Sequence, residues 1–332
     1  MITIAIILIV DIVILKLFSA RKKNTLQHLA GLIVMMIFVS FLLLIGYYLL
    51  STLITASKIT VDDDKVSAVE VTEEPFNVYI SGSDSRKSVA EISRTDVNMI
   101  MTVNPKTHTI LLTSIPRDAY VPLASNGQMD KLTHSAIYGI DEAVNTISDW
   151  TGIEMDYYVR VDFKMLRGLV DAVGRVPIEN EQEFYSHTRG FYFRKGKIDM
   201  SGAQALEYVR ERKAFDKDDE QRIINQQKVL KAIIKKIVNS KTILLSYTRI
   251  LDVIEGHMIT DFADNDIAKM VKFQLKGMPE WKVKTQTITG EDARMGTYSM
   301  GFGRELDVFI IDEESKEEAT ANIEKVMMEK EE

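Results

Sequence analysis

The chain opens with two long apolar segments. Residues 29–56 contain no charged side chain, and residues 2–18 are apolar apart from Asp11 and Lys16. A helix rises about 1.5 Å per residue, so about 20 apolar residues span the hydrocarbon core of a bilayer. The pattern predicts two membrane helices, at residues 2–20 and 29–56, rather than a buried core helix. A cleaved signal peptide fits poorly, because its positive start and small-residue cleavage site are missing.

Basic residues between the two segments set the expected orientation. Arg21, Lys22 and Lys23 lie in the loop at residues 21–28, and cytoplasmic loops carry an excess of such residues. We therefore expect residues 1–57 to anchor the protein in the cell membrane and the rest of the chain to be extracytoplasmic. Residues 58–75 are polar and acidic and are expected to form a short tether.

Beyond the tether the hydrophobic pattern becomes that of a folded α/β domain. Alternating, β-rich segments predict strands, and helical spacing predicts helices. Strands are expected at residues 76–81, 97–103, 108–115 and 157–163, and helices at residues 141–150, 164–173 and 218–239. This alternation predicts an α/β domain, residues 76–311, with a central mixed sheet flanked by helices on both faces. Residues 312–332 are charge-dense without a large apolar face and predict a solvated helix or a loose tail.

Composition removes several classes of function. The 332 residues contain no cysteine, which excludes a structural disulfide, a thiolate zinc site and a cysteine nucleophile. The formal net charge of −7 argues against nucleic acid as a partner, because a phosphate backbone needs a basic surface. No metal-ligand spacing links the histidines, each of which is expected to be structural or exposed: His28, His108, His134, His187 and His257. Any anion site must come from a local cluster of basic residues.

Charged residues gather where the predicted strands begin and end. Asp84 follows the first strand within a Gly-Ser-Asp sequence, and Arg94 and Asp96 precede the second. Arg117 and Asp118 follow the third strand. Surface salt bridges explain any one such pair. Repetition at successive strand ends favours a binding site, since ligands of α/β folds gather at strand ends.

A second group of polar residues lies further along the chain. Arg210 and Arg212 can serve one site only if the helix that starts near residue 202 ends near Tyr208, because alternate residues point apart on a helix. Arg222 and Gln226 are four residues apart and share one face of the next helix. The alternative is that these are ordinary exposed helix residues, which is the simpler interpretation for Gln226 alone.

Together these residues indicate a site for a polyanion. Guanidinium groups match phosphate oxygens with two parallel hydrogen bonds, and carboxylates beside phosphates suit Mg²⁺, which takes few protein ligands. The inferred ligand is a pyrophosphate or a similar polyanion. The chain has no GxxxxGK[ST] loop and no kinase signature, which disfavours the known designs for nucleotide hydrolysis. It has no GxSxG motif either.

Eight short segments between residues 76 and 240 carry a family resemblance. They are GSDSR at 82–86, SRTDVNM at 93–99, LLTSIPRDAYVPL at 111–123, KLTHSAIYG at 131–139, YYVRVDF at 157–163, LVDAVGRVPI at 169–178, MSGAQALEYVRER at 200–212 and QRIINQQKVL at 221–230. In this order they resemble the LytR-CpsA-Psr family. The segment DVNMIMTVNP is most similar to the capsule-associated branch.

The resemblance implies a fold and a reaction. Members are membrane-anchored, extracytoplasmic phosphotransferases of Gram-positive bacteria, with a central sheet flanked by helices and an apolar groove for a polyprenyl chain. They move a glycopolymer, such as a capsular polysaccharide or a teichoic-acid-like polymer, from an undecaprenyl pyrophosphate carrier onto peptidoglycan. Membrane lipids and capsule assembly proteins are the further partners implied. Residues 137–147 and 166–176 are candidates for lining the groove, although core packing explains them equally well.

The resemblance also implies roles for individual residues. Asp84 and Asp96 match carboxylates associated with Mg²⁺, for which Mn²⁺ is the alternative. The pyrophosphate-binding set is matched by Arg94, Arg117, Arg210, Arg212, Arg222 and Gln226. Arg117 and Asp118 are the candidate catalytic residues, with Asp118 either the base or a group that orients Arg117. The chain departs from the family at residues 216–218, where Asp-Lys-Asp replaces a frequent Asp-Gly-Asp, and its tether is too short for the accessory domain of larger capsule members.

Other functions fit the same residues in part. A polyprenyl pyrophosphate phosphatase would cleave the lipid carrier without an acceptor. A non-catalytic lipid-binding regulator or scaffold of capsule assembly would bind the same pyrophosphate. A transcription regulator is disfavoured, because the expected topology places the domain outside the cytoplasm and no helix-turn-helix with a basic recognition helix is evident.

The expected topology can be tested on protoplasts. Protease added from outside should remove the folded domain, because the basic loop at residues 21–28 keeps the other side of the anchor in the cytoplasm. Immunoblotting with an antibody against the domain measures the loss, and a cytoplasmic marker protein controls for lysis. Complete protection of the domain would contradict the orientation and, with it, a role in the cell wall.

Overall fold

The computed structural model describes residues 25–61, 69–84, 88–215, 218–238 and 242–330. The first predicted membrane helix, at residues 2–20, and the basic residues Arg21 to Lys23 lie outside these ranges. The chain divides into two compact units, Met1–Ile54 and Thr55–Glu332.

Most of the first unit that the structure describes is one long helix, α1, Thr25–Ile59. Within it, Met35–Ile59 is long and apolar enough to cross a membrane by length and composition, and no other helix among the described residues is. Ile37, Phe38 and Leu50 are each more than half exposed. A helix that is apolar on all sides suits a lipid environment, so α1 fits the second predicted membrane helix.

The second unit is a mixed α/β domain. Its strands are β1 (Phe76–Ser83), β2 (Val97–Asn104), β3 (Thr109–Ile115), β4 (Tyr120–Pro122), β5 (Met129–Lys131), β6 (Tyr157–Asp162), β7 (Val176–Asn180), β8 (Phe184–Tyr185), β9 (Tyr192–Phe193), β10 (Gly196–Met200), β11 (Met258–Thr260), β12 (Lys282–Thr287), β13 (Gly290–Gly296) and β14 (Glu305–Ile311). Its helices are α2 (Leu132–Ser135), α3 (Ile140–Thr151), α4 (Phe163–Val173), α5 (Gly202–Arg210), α6 (Asp218–Val238), α7 (Thr242–Ile254), α8 (Asp264–Gly277) and α9 (Glu313–Met328). Short 3₁₀ turns occupy Ala136–Tyr138 and Tyr298–Met300.

Six strands form the central sheet in the order β11-β6-β1-β2-β3-β12. The pairs β1/β6 and β3/β12 are parallel, and the pairs β1/β2, β2/β3 and β6/β11 are antiparallel. The predicted mixed sheet is therefore confirmed, and each of the four predicted strands belongs to it.

Helices cover both faces of this sheet. Tyr79, Ile100 and Leu111 lie in a buried cluster with residues of α3 and α9 on one face. On the other face, Val78 and Leu112 pack in a cluster that includes side chains of α6 and α8. Successive strand residues point to opposite faces, so the central strands are buried on both sides and read as nearly continuous apolar runs.

A third buried cluster lies among α4, α5, α6 and α7 and the strands β7 to β10. Val170 and Val173 are buried in it, and Ile147 is buried against the sheet. These residues come from the two segments that were candidates for lining an apolar groove. At these three positions the structure favours the core-packing interpretation.

The C-terminal segment differs from the prediction of a solvated helix or loose tail. Helix α9 packs on the sheet through Ala319, Ile323 and Val326, which are at most 4% exposed. The side-chain amide of Asn104 donates hydrogen bonds to the carbonyl oxygens of Val326 and Glu329, at 2.8 and 2.9 Å. Three apolar residues at positions i, i+4 and i+7 form a narrow stripe, which a charge-dense sequence conceals.

Truncation of the C-terminal stripe should destabilise the whole domain. Ile323→Ala removes a fully buried side chain, and such changes cost about 2–5 kcal/mol, whereas the exposed Glu324→Ala should change the free energy of unfolding by less than about 0.5 kcal/mol. Urea denaturation of the detergent-solubilised chain, followed by tryptophan fluorescence, measures both. Trp150 is a suitable reporter because it packs against the same cluster. Equal midpoints for the two variants would show that α9 is dispensable for stability.

Candidate active site

Three strand ends meet at one edge of the central sheet. Strand β2 is antiparallel to both of its neighbours, with Gly82 paired to Val97 and Asn98 paired to Ile115. The start of β2 therefore lies beside the ends of β1 and β3. The segments that carry Asp84, Arg94, Asp96, Arg117 and Asp118 all lie at this edge.

Two hydrogen bonds connect the end of β1 and the residue that follows it with the segment that precedes β2. The Asp96 amide donates to the carbonyl oxygen of Gly82 at 2.7 Å, and the Asp84 amide donates to Oδ2 of Asp96 at 3.4 Å. Both carboxylates, which the resemblance matches to metal ligands, thus lie on neighbouring strand ends.

Arg117 lies between two carboxylates. Its Nη1 donates to Oδ1 of Asp96 at 2.7 Å, and its Nε donates to Oδ2 of Asp118 at 3.3 Å. The other oxygen of Asp118 accepts a hydrogen bond from Nζ of Lys131 at 2.9 Å. A carboxylate held between two cations is a weak proton acceptor. The geometry therefore favours the second role considered for Asp118, orienting Arg117, over that of a base.

Arg210 reaches the same edge from the end of α5. It forms an ion pair with Asp84, and its guanidinium carbon lies 5.3 Å from the ring centroid of Phe163. Helix α5 ends at Arg210 rather than at Tyr208, and Glu211 is extended, with φ −66° and ψ 133°. The change of backbone after Arg210 lets Arg212 contribute to the site from a non-helical position.

An open cavity of about 600 Å³ occupies this edge, with Arg94, Asp96, Arg117, Asp118 and Arg212 among its lining residues. A neighbouring cavity of about 710 Å³ is lined by Arg222 and again by Arg117 and Asp118. Arg117 thus lines both cavities, and Arg94, Arg212 and Arg222 each line one of them.

Arg222 and Gln226 are buried, at 6% and 5% exposure. The alternative that they are ordinary exposed helix residues is therefore wrong. The two residues nevertheless differ in their surroundings. Arg222 lines a cavity, whereas Nε2 of Gln226 donates to the carbonyl oxygen of Val209 at 3.5 Å and ties α6 to α5.

A buried arginine supports the segment in front of Arg94. The guanidinium Nη2 of Arg160 donates to the carbonyl oxygen of Glu91 at 2.7 Å and to Oγ of Ser93 at 2.8 Å. Burial lowers the pKa of Arg160 below its ordinary value. Oγ of Ser93 lies 3.1 Å from Oγ of Ser83, which connects this segment to the end of β1.

Several lining residues were missed by the reasoning from sequence. Lys131, Thr133 and His134 belong to the KLTHSAIYG segment, which carried the family resemblance but received no role. The hairpin β13/β14 contributes Asp292, Arg294 and Asp307 to the larger set of lining residues. The hairpin lies more than 50 residues beyond the last quoted motif and offers no chemical signal of its own.

The carboxylates at the two strand ends fit a magnesium ion. Within the part of the chain that the structure describes, no group of three or more His, Asp or Glu residues is arranged to hold a metal. Mg²⁺ is usually bound by only one or two carboxylates and takes its other ligands from phosphate oxygens and water. Asp84 and Asp96 would supply that donor set at the arginine-lined edge of the sheet.

Fold and site together define an α/β domain with an arginine-lined edge suited to a phosphate-rich anion. The model of the LytR_cpsA_psr family matches residues 45–323. The chain belongs to this family, as the resemblance predicted.

Relatives and solved structures agree with this assignment. The chain is 32% identical over 213 residues to the polyisoprenyl-teichoic acid–peptidoglycan teichoic acid transferase TagU of Bacillus mycoides, an alignment covering 64% of this chain and 68% of the relative. The alignment with TagU of Bacillus anthracis, also 32% identical, spans 60% of this chain and only 64% of that protein. The crystal structure of TagV from B. subtilis superposes with a TM-score of 0.63 at 25% identity, over 77% of this chain and 98% of TagV. TagT bound to LIIa-WTA gives a TM-score of 0.62 at 25% identity, over 81% and 96% of the two chains.

The central position of Arg117 leads to a binding test. We expect polyprenyl pyrophosphate to raise the melting temperature of the detergent-solubilised protein more than the monophosphate does. A ligand present at 100 times its dissociation constant adds about 2.7 kcal/mol to the free energy of unfolding. Arg117→Lys should lose much of this gain although the charge is kept, since an ammonium group cannot form paired hydrogen bonds.

The matched control is Arg249→Lys on α7, where the arginine is exposed. It should retain the full thermal shift. Equal shifts in the wild type and in Arg117→Lys would indicate simple charge attraction, and equal shifts with pyrophosphate and monophosphate would reduce the site to a generic anion patch.

Proposed function

We propose that this protein is a membrane-anchored phosphotransferase that moves a glycopolymer from an undecaprenyl pyrophosphate carrier onto peptidoglycan. The observation that carries the proposal is the convergence of Arg94, Arg117, Arg212 and Arg222 on two adjoining cavities in a protein of net charge −7. Family membership supports the transferase reaction. So does the name of the TagU relatives, which describes a transfer of teichoic acid from a polyisoprenyl carrier to peptidoglycan.

In this proposal the arginines bind and position the pyrophosphate. Arg117, held by Asp96 and Asp118, presents a fixed fork to the phosphate oxygens. Arg94 and Arg212 neutralise charge from the other walls of the first cavity, and Arg222 does so from the second. Arg210 acts through its ion pair with Asp84. Oriented cations in a partly enclosed site stabilise charge that develops on a leaving phosphate.

Asp84 and Asp96 are the residues that would hold Mg²⁺. When bound, the ion would neutralise pyrophosphate oxygens and help to fix their positions. The ion pairs with Arg210 and Arg117 keep both carboxylates at the edge of the cavity before substrate binds. Mn²⁺ has similar ligand preferences and is the alternative.

The transfer itself is a displacement at phosphorus. A sugar hydroxyl of peptidoglycan attacks the phosphorus that carries the glycopolymer, and its proton passes to a base. The bond between this phosphorus and the bridging oxygen breaks, so that the lipid leaves as undecaprenyl phosphate. The product is a phosphodiester between glycopolymer and peptidoglycan. The chain's arginines act on the charge of the leaving phosphate, which is the role that phosphoryl transfer most requires of a protein.

The proposal also concerns the identity of the glycopolymer and the cellular compartment of the folded domain. The names of the relatives support a teichoic-acid-like polymer, whereas the DVNMIMTVNP segment favours a capsular polysaccharide. Helix α1 fits a membrane anchor, and the basic loop before it supports an extracytoplasmic domain. The membrane-bound carrier and the cell-wall acceptor both suit that location.

A reconstituted transfer assay tests the reaction and the metal together. Wild-type protein in detergent, with a polyprenyl-pyrophosphate-linked saccharide, peptidoglycan fragments and Mg²⁺, should yield a phosphodiester-linked product detectable by mass spectrometry. Asp84→Asn and Asp96→Asn should each lower the Mg²⁺-dependent rate by at least about 100-fold, because the ion's strict geometry does not readily replace a lost carboxylate. Asp149→Asn, an exposed residue of α3, is the matched control.

Each contrary result identifies a different function. Cleavage of the carrier that is independent of peptidoglycan would indicate a phosphatase. Binding of the carrier without any turnover would indicate a scaffold or regulator. Normal Mg²⁺-dependent turnover in both aspartate variants would refute the metal assignment while leaving the transferase intact.

A further inference from the structure

A buried histidine borders the cavity and has no part in the roles described so far. His134 is 2% exposed and lies on the short helix α2, next to the turn that carries Arg117. Its Nδ1 lies 2.7 Å from Oδ1 of Asp130 and 2.7 Å from Oγ of Ser299. Asp130 is fully buried and also accepts hydrogen bonds from the backbone amides of Lys131 and Ser299, both at 2.7 Å.

These contacts leave one ring nitrogen for the cavity. Both hydrogen bonds that the imidazole makes among the described residues use Nδ1. The ring lines the same cavity as Arg94, Arg117 and Arg212. Nε2 is the ring nitrogen that these contacts leave for the cavity, since Nδ1 is held by Asp130 and Ser299. In many enzymes, a histidine with one ring nitrogen fixed by a carboxylate activates a hydroxyl group through its other ring nitrogen.

Three carboxylates of the site, those of Asp84, Asp96 and Asp118, are already paired with cations. Asp118 has one oxygen on Arg117 and the other on Lys131. Asp96 pairs with Arg117, and Asp84 pairs with Arg210. Each of these three carboxylates is therefore engaged by at least one cation. Among the described residues, the ring of His134 has both of its hydrogen bonds on Nδ1 and none on Nε2.

We infer that His134 is the general base that takes the proton of the acceptor hydroxyl, with Asp130 as the residue that positions it. The inference rests on the proposed transferase function. As the acceptor oxygen forms its bond to phosphorus, its proton passes to Nε2, and the bond from phosphorus to the bridging oxygen breaks with its electron pair leaving on undecaprenyl phosphate. Nδ1–H stays on Asp130 throughout, so the imidazolium that forms faces a carboxylate.

The ionised state of Asp130 supports this division of roles. Burial raises the pKa of this carboxyl, but the hydrogen bonds from His134, Ser299 and Lys131 outweigh burial and hold it below its ordinary value. Asp130 therefore remains a carboxylate that favours the Nδ1–H tautomer and stabilises a charged ring.

Several charged and titratable groups surround His134 and must be considered in its pH dependence. From the adjoining elements they are Asp130 and Lys131 of β5, Arg117 and Asp118 after β3, Arg212 after α5, Asp292, Arg294 and Asp307 of the β13/β14 hairpin, and Tyr138 and Tyr298 of the two 3₁₀ turns. Tyr138 and Tyr298 lie with ring centroids 6.3 Å apart. Of the groups in this set, the imidazole is the one whose ordinary titration lies between the acidic and the basic residues.

The test compares His134→Asn with the wild type in the reconstituted transfer assay. Asparagine keeps a side-chain N–H near the position of Nδ1, so the contact with Asp130 survives, but it cannot accept the proton. We expect the transfer rate at saturating substrate to fall by about 100-fold or more, the size typical of general-base catalysis. KM and the thermal shift with polyprenyl pyrophosphate should change little. The wild-type rate should decline towards acid pH as the ring protonates, and this acid limb should be missing in the variant.

The matched control is His108→Asn, at the turn between β2 and β3, far from the site along the strands. His108 has φ +50°, a conformation that asparagine tolerates well. This variant should keep both the wild-type rate and the acid limb. His134→Gln replaces His134→Asn if the latter does not fold.

The outcomes separate this inference from the function on which it rests. A wild-type rate and an unchanged acid limb in the His134 variant would overturn the assignment of the base, while the transferase would stand. Weaker binding of the pyrophosphate together with a normal maximal rate would also overturn it, by assigning His134 to binding. A wild-type protein that transfers nothing would overturn the proposed function itself.

Discussion

The register of β1, β2 and β3 is the constraint on which the rest of the site depends. Because β2 runs antiparallel to both neighbours, the residues that follow β1, precede β2 and follow β3 meet at one edge. A slip of one residue would turn the buried faces of these strands towards the wrong side and would separate Asp84 from Asp96. Gly82 makes the close pairing possible, since a Cβ there would lie 2.8 Å from Cβ of Val97.

Electrostatics at this edge follow from the same geometry. Two unit charges 4 Å apart in water interact by about 1 kcal/mol, and by more in a drier site, so a bare cluster of arginines would repel itself. Here Arg117 is interleaved with Asp96 and Asp118, and Arg210 with Asp84. The carboxylates hold these cations in place. They also explain how a protein of net charge −7 can present a basic site.

The cavity is completed by segments that are remote in sequence. The contact between Asp130 and Ser299 joins residues 169 positions apart. With the contact between Ser299 and His134, it brings the connection between β13 and β14 against β5 and α2. Helix α9 follows β14 and packs into the core beside the sheet. The last quarter of the chain is thus part of both the site and the hydrophobic core, and the family model accordingly extends to residue 323. A solvated tail would contribute to neither.

The sequence by itself determined the long apolar helix and the central strands, because periodicity and turn residues are local properties. It also singled out the charged residues that the structure places at one edge of the sheet. It also determined the family, through segments such as SRTDVNM and QRIINQQKVL. It did not determine the packed C-terminal helix, whose apolar stripe is narrow, nor the burial of Gln226, whose partner is a backbone carbonyl on another helix. The environment of His134 was decided only by tertiary structure. Folding alone brings Asp130 and Ser299 against one ring nitrogen of His134 and places this residue in the wall of the cavity that Arg117 also lines.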